Sequence, residues 1–531
     1  MPSTMTRVLV LAGMVTLATP AETLTGTSGY LLAADRDKPP VGFAVEANNG
    51  FAFDLYAEMA RQQPEASLFF SPYSLSVALA MTADGARGET AEQMARVLHF
   101  SEATRHVGSD AQAIPFNVGL LHTGFASLNK RWNRKDGGDQ AVRTKIESLR
   151  KALGEANRQA LELRKAGKDE ESNKIALKSQ DLARQLNPLL TQVDQFELRI
   201  ANALWGEKTY PFRQDFIGTI DRYYGTGGVF TVDFRNQYEA TRRQINGWAA
   251  EQTYQKIPEL ISKNVLSPED GKRVRLILTN AIYFKGEWSQ VFDAAQTREE
   301  DFFTGRQGKA RVPLMHHGHL GAGYAAFNGD GTPFATPRDI PAVGKQPQVY
   351  PGDDGFTLLE LPYKGDELSM VLIAPRTADG LAGVEKLVTG ERWPALLKSV
   401  VSRAVDTYVP RFKLDKSFEA SAALQALGMV RPFALPGPGG AQFDGMCASD
   451  DPEFKLSIGK VLHAAQVEVT EKGTEAAAAT AVIARAPPGP IPETVPFTPV
   501  FRADRPFLFL VRDKISGTIL FIGRVMNPAG S

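Results

Sequence analysis

Three histidines within four residues, in Met315-His316-His317-Gly318-His319, are the first place to look for chemistry in this 531-residue chain. Imidazoles this close can ligate a transition metal. No carboxylate with suitable spacing stands beside them in sequence, so the reading is that they hold none. A single cysteine, Cys447, permits no intrachain disulfide. Its setting after Phe443-Asp444-Gly445-Met446 reads as an ordinary turn rather than a nucleophile's pocket. The chain has no G-x-S-x-G elbow, H-E-x-x-H pair, Walker loop or dinucleotide fingerprint. The expectation is a protein that is not an enzyme and needs no cofactor.

The run Glu471-Lys472-Gly473-Thr474-Glu475-Ala476-Ala477-Ala478-Ala479-Thr480 is more informative. Every second residue from Thr474 is small or β-branched: Thr474, Ala476, Ala478, Thr480, Val482 and Ala484. Alternate side chains of a strand share a face. One face of this segment could therefore enter a narrow packed slot, where a larger or charged side chain would be penalised. Pro487 and Pro488 cannot donate to a ladder, so a strand built here should stop near Ala486. The pattern predicts a segment exposed in one state and strand-paired in another.

The elements around this run mix helix and strand without βαβ alternation, which argues for α+β. Phe51, Leu55, Tyr56 and Met59, then Leu75, Val77, Leu79 and Met81, give a helical spacing over Asn49 to Phe100. Strand-like runs occupy 198–205, 275–284, 357–362, 368–374, 404–412, 461–470, 507–512 and 518–525. Residues 1–21 read as a secretory signal: Arg7, then the apolar Val8 to Ala18, then the small-residue site Thr19-Pro20-Ala21. The apolar run is too short to span a bilayer. Residues 22–45 read as a mobile leader, and the expected location is extracellular or periplasmic. Lysine plus arginine equals aspartate plus glutamate at 60 each. That balance disfavours a globally basic nucleic-acid binder.

Several motifs occur in a fixed order: Phe69-Phe70-Ser71-Pro72-Tyr73-Ser74, Gly85-Ala86-Arg87-Gly88, Ala201-Asn202-Ala203-Leu204-Trp205 and Ile245-Asn246-Gly247-Trp248. Thr279-Asn280-Ala281-Ile282-Tyr283-Phe284-Lys285-Gly286-Glu287-Trp288, Leu359-Glu360-Leu361-Pro362-Tyr363 and Val409-Pro410-Arg411-Phe412 follow. After the alanine run come Arg505-Pro506-Phe507-Leu508-Phe509 and Leu520-Phe521-Ile522-Gly523-Arg524-Val525. From Asn49 to Pro528 this series resembles the serpins. The resemblance implies one domain, residues 46–529, of three β-sheets surrounded by about nine helices, with a hinge and reactive-centre loop at 471–500. It implies a monomer that inhibits a serine protease, or a cysteine protease, as a suicide substrate. The protease attacks the exposed loop, and the cut loop inserts into the large sheet before the acyl-enzyme can hydrolyse. The hinge would be Glu471, Gly473, Thr474, Ala476, Ala477, Ala478, Ala479 and Thr480, with Thr474 entering first. Ser71, Asn280 and His463 would form a hydrogen-bonded shutter under the sheet. Arg411 and Glu471 would pair at its top, the breach, beside Trp288.

Counting the usual hinge length puts the scissile bond at Pro487-Pro488. Arg485-Ala486 is favoured because a trypsin-like enzyme prefers a cation, and Ala486-Pro487 suits an elastase-like one. Bonds around Ile491 and Thr494 stay open as well. The double proline and long loop favour an alternative, a non-inhibitory serpin acting as a binding, storage or chaperone-like protein; the small-residue hinge opposes it.

Two insertions depart from the family pattern. Residues 134–195 read as an antiparallel helical hairpin, with stripes at Ile146, Leu149, Leu153, Ala156, Ala160 and at Ile175, Leu182, Leu186, Leu189 around a turn at Lys165 to Ser172. Its charges read as a solvated face. The alternative is polyanion binding by Lys130, Arg131, Arg134, Lys135, Arg143 and Lys145. The second insertion, about Asn328 to Asp354, is rich in Pro and Gly and reads as a long surface loop.

Overall fold

The computed structural model describes residues 39–105, 115–132, 145, 148–149, 152–153, 155–156, 159–160, 163, 168–190, 196–225, 228–263, 265–266, 273–305, 308–341, 347–447, 451, 454–474 and 494–530. The expected signal at 1–21 lies outside them.

Helix α1 (Pro40–Gln62) opens with proline in its first turn, where the ring's fixed φ suits a helix and no N–H is missed. Phe43, Ala44, Ala47, Phe51 and Leu55 recur on one buried face. This corrects the leader expected at 22–45: residues 40–45 belong to the packed body, and the prolines at 39 and 40 start the helix. Helix α2 (Pro72–Asp84) is capped by the Ser71 hydroxyl, which accepts from the Ser74 N–H at 3.1 Å. Helices α3 (Gly88–Val97) and α4 (Val118–Trp132) complete the N-terminal cluster. The short strand β1 (Leu68–Phe70) breaks what the sequence spacing suggests is purely helical. Helix α5 (Asp169–Leu190) starts inside the segment expected as a turn. The Ser172 hydroxyl donates to the Ala160 carbonyl at 2.8 Å, so the two sides of that segment meet.

Among the described residues the strands form three sheets, with further helices at Gln214–Tyr224, Phe234–Gln252, Leu381–Leu387, Trp393–Lys398 and Ser421–Ala426. The site lies in a six-stranded sheet ordered β12 (Phe412–Glu419), β13 (Lys460–Thr470), β14 (Gly473–Thr474), β4 (Leu276–Glu287), β2 (Phe196–Glu207) and β3 (Val229–Val232). A ten-stranded sheet follows the path β1, β18 (Ile519–Val525), β17 (Phe507–Asp513), β10 (Leu368–Pro375), β9 (Phe356–Pro362), β6 (Lys309–Phe327), β11 (Val401–Pro410) and β16 (Val500–Arg502). Strands β5 (Arg298–Phe303) and β7 (Pro333–Phe334) pair with β6 off this path. The third sheet has two strands, β8 (Asp339–Pro341) and β15 (Thr494–Pro496). Strand β4 is buried at ten of its twelve positions, so both its faces are covered. This explains its near-continuous apolar sequence.

The seam between β13 and β4 as candidate functional site

Strands β13 and β4 run parallel and pair directly from Lys460–Ile277 to Gln466–Tyr283. Beyond that they part, and β14 wedges between them, antiparallel to both. Gly473 registers with Glu287 and Thr470; Thr474 registers with Gly286 and Val469. The chain at Gly473 has φ +143°, and an added Cβ would lie 2.1 Å from the Gly286 carbonyl oxygen. Only glycine can turn the chain into the wedge here. Thr474 is fully buried, and its hydroxyl lies 2.9 Å from the Tyr363 hydroxyl. The resemblance has Thr474 entering the sheet first; in the uncut chain it is already paired in the seam.

Above the wedge, the Arg411 Nε donates to Glu471 Oε1 at 2.8 Å, and the Thr297 hydroxyl donates to the same oxygen at 2.5 Å. Burial alone would raise the Glu471 carboxyl. The hydrogen bonds from Arg411 and Thr297 outweigh it and hold the group below the ordinary carboxylate range. Trp288 is stacked on Tyr363, ring centroids 4.6 Å apart, and its indole N–H donates to the Thr470 carbonyl at 3.0 Å. Its backbone N–H donates to the Lys472 carbonyl at 2.8 Å. Arg411, Glu471 and Trp288 are therefore brought together, with Thr297 and Tyr363 as members that sequence reasoning did not assign. Tyr363 stood within a family motif; nothing marked Thr297.

Beneath the paired part of the seam, His463 and Asn280 are register partners in adjacent strands. The Ser71 backbone N–H donates to His463 Nε2 at 3.0 Å. Asn280 does not join His463 directly; its amide reaches Asn202 at 3.0 Å, and Asn202 meets the Ser74 hydroxyl at 2.7 Å. Ser71, Asn280 and His463 thus lie in one buried polar layer, extended by Ser74 and Asn202. Among the described residues, two atoms of this layer have no partner: His463 Nδ1 and Asn280 Oδ1. Because Nε2 accepts, the neutral ring carries its proton on Nδ1, so one orphan is a donor and the other an acceptor. Burial pushes the His463 imidazole down to about 3.

Ala476, Ala477, Ala478, Ala479 and Thr480, and the bond candidates Arg485, Ala486, Pro487 and Pro488, lie outside the described residues.

The histidine group sits within β6. Folding supplies the carboxylate that the sequence spacing did not: His316 Nε2 is 2.7 Å from Asp406 Oδ1, and its ring stacks on Tyr408 at 4.3 Å. His317 instead meets the Phe292 ring edge-on. Among the described residues no three His, Cys, Asp or Glu are arranged to hold a metal, and no helix is long and apolar enough to cross a membrane. Of the basic residues weighed for a polyanion, Arg131 is committed elsewhere, 3.1 Å from Glu367 and 3.1 Å from the buried Asp513. Arg134, Lys135 and Arg143 lie outside the described residues. Cys447 is buried and unbridged.

The family model for serpins, described as serine protease inhibitors, matches residues 46–148 and 147–528. Human Serpin B4 is 32% identical over 490 residues, covering 91% of this chain and 99% of that protein. Leukocyte elastase inhibitor of Xenopus laevis is 31% identical over 482 residues, covering 90% and 97%. Among solved structures, human thyroxine-binding globulin complexed with its hormone superposes with a TM-score of 0.64 at 22% identity, covering 92% of this chain and 99% of that one. The order of motifs, the sheets and these matches agree: the chain belongs to the serpin family.

Proposed function

We propose that this chain inhibits a serine-type endopeptidase by inserting its cut loop into the seam between β13 and β4. The observation that carries the reading is the wedge of Gly473 and Thr474, which already fixes a register for the strand to follow. Continued from Thr474, that register sets Ala476 between Phe284 and Val467, and Ala478 between Ile282 and Ala465. Thr480 then falls between Asn280 and His463, beside their two unpartnered atoms. A hydroxyl can accept from His463 Nδ1–H and donate to Asn280 Oδ1 at once. The ladder runs out at residue 483 against Lys460 and 484 against Leu276. A cut at Arg485-Ala486 or just after would free the whole strand, which favours Arg485 as the residue read by the protease.

The driving force follows from strand direction. Insertion exchanges one parallel pairing for two antiparallel ones, and antiparallel ladders are slightly more stable per residue. It also adds about ten backbone hydrogen bonds at about 0.5–1.5 kcal/mol each. The protease, held as an ester on the departing strand end, is carried with it. Leukocyte elastase inhibitor is named for such a target; for this chain a trypsin-like enzyme is the first choice, acting outside the cell after loss of residues 1–21.

Incubation with trypsin-like and elastase-like proteases, followed by denaturing electrophoresis, tests the reading. The expected product is a covalent complex that survives denaturation, with a released peptide starting at Ala486 by mass spectrometry. Clean cleavage without a complex, across the panel, would refute it and favour a binding or storage role.

A further inference from the structure

The insertion at about 328–354 does not simply lie on the surface. Its strand β8 pairs with β15, the far arm of the loop: Asp339 with Pro496, Ile340 with Val495, Pro341 with Thr494. The Phe497 N–H donates to the Arg338 carbonyl at 2.8 Å. Arg403 on β11 ties both sides together, one guanidinium nitrogen donating to the Pro337 carbonyl at 3.0 Å and the Phe497 carbonyl at 2.6 Å. From the insertion's other end, the Tyr350 hydroxyl accepts from the Val500 N–H at 2.7 Å, and its ring meets Phe497 edge-on. Arg376 covers the Tyr350 ring at 5.0 Å.

We propose that this insertion is a clamp that shortens the free span of the loop and so keeps the uncut loop from inserting itself. The proposal rests on the insertion reading above. A strand laid from Thr474 to Ala484 runs about 33 Å along the seam at about 3.3 Å per residue. An uncut chain must then turn and return to its anchor on the other sheet. With the clamp closed the anchor is Thr494, ten residues on, and ten residues reach at most about 36 Å. That length leaves no slack for the turn and the crossing. With the clamp open the anchor is Val500, and sixteen residues reach about 58 Å. The clamp therefore removes the six residues that would let the loop enter intact. A cut on the seam side of Thr494 makes the restraint irrelevant, because the entering strand no longer joins the far arm.

The test follows the uncut chain held below its melting temperature. Samples are assayed over time for heat resistance, for loss of complex formation and, by mass spectrometry, for an unbroken chain. The variant Arg403→Ala with Tyr350→Phe is expected to convert to a heat-resistant intact form about tenfold faster than the parent, equivalent to about 1.4 kcal/mol of lost restraint. A second variant, Ile340→Cys with Val495→Cys, joins directly opposed positions whose spacing suits a disulfide. Its oxidised form is expected to convert more slowly than its reduced form. Equal rates for double variant and parent, or for oxidised and reduced forms, would overturn the clamp. If the protease-cut parent gained no heat resistance, insertion itself would fail; if it gained resistance while the rates stayed equal, only the clamp would be wrong.

Discussion

Thr480 and His463 carry the two residue-scale predictions. Replacing Thr480 by valine keeps the shape but leaves His463 Nδ1 and Asn280 Oδ1 unpaired in the inserted state, at a cost of about 1–3 kcal/mol. Differential scanning calorimetry should show a lower melting temperature for the cut form and no change for the uncut one. For His463 the sign follows from its lowered folded value, about 3, against about 6.5 in an unfolded chain. Above about 6.5 neither state binds the proton. Between the two values the unfolded state binds it and the native state does not, so native stability falls as pH drops, by up to about 1.4 kcal/mol per unit. The uncut parent should lose thermal stability between pH 6.5 and 4 more steeply than His463→Gln. Parallel slopes in pH-resolved melts would show that this ring is not responsible. Sequence reasoning reached the polar layer only in part. Ser71, Asn280 and His463 came from the family resemblance, whereas Ser74 and Asn202, though they stand in quoted motifs, join the layer because α2 and β2 converge there, a tertiary fact that spacing does not encode.

At the scale of elements, the wedge β14 depends on one backbone conformation. Gly473→Ala places a Cβ against the Gly286 carbonyl at a φ that side chains rarely adopt, costing about 1–3 kcal/mol. Gly473 is seated in the uncut chain, and on the proposed mechanism insertion continues from its register. The variant should therefore lower both melting temperatures together, in contrast to Thr480→Val. A loss confined to one form would show that the wedge moves on cleavage. Most long strands were legible from apolar runs: 461–470 is read almost to the residue, as are 357–362 and 368–374. Strand β6 was not, because Met315-His316-His317-Gly318-His319 breaks its apolar pattern and glycine reads as a turn. The insertion at 328–354 was read as an irregular loop because β8 is three residues long and contains a proline. Its pairing partner lies more than 150 positions away.

For the whole molecule, cleavage within the loop should raise the melting temperature. About ten new hydrogen bonds at about 0.5–1.5 kcal/mol each correspond to about 5–15 °C, because a chain of this size shifts by about 1 °C per kcal/mol. Calorimetry before and after nicking measures it, and an unchanged transition would remove the physical basis of the mechanism. The α+β class and family were open to sequence reasoning because many short motifs keep one order. The start of the body was misplaced, since two prolines resemble a leader until the helix they begin is seen packed. One further consequence follows from the side-by-side parallel course of β13 and β4. On the proposed mechanism, substitutions that tighten this junction would make the resting form hardier and slow the entry of the cut loop. Under that mechanism, gains in heat tolerance belong elsewhere in the body, and this line of the sheet stays below its attainable stability.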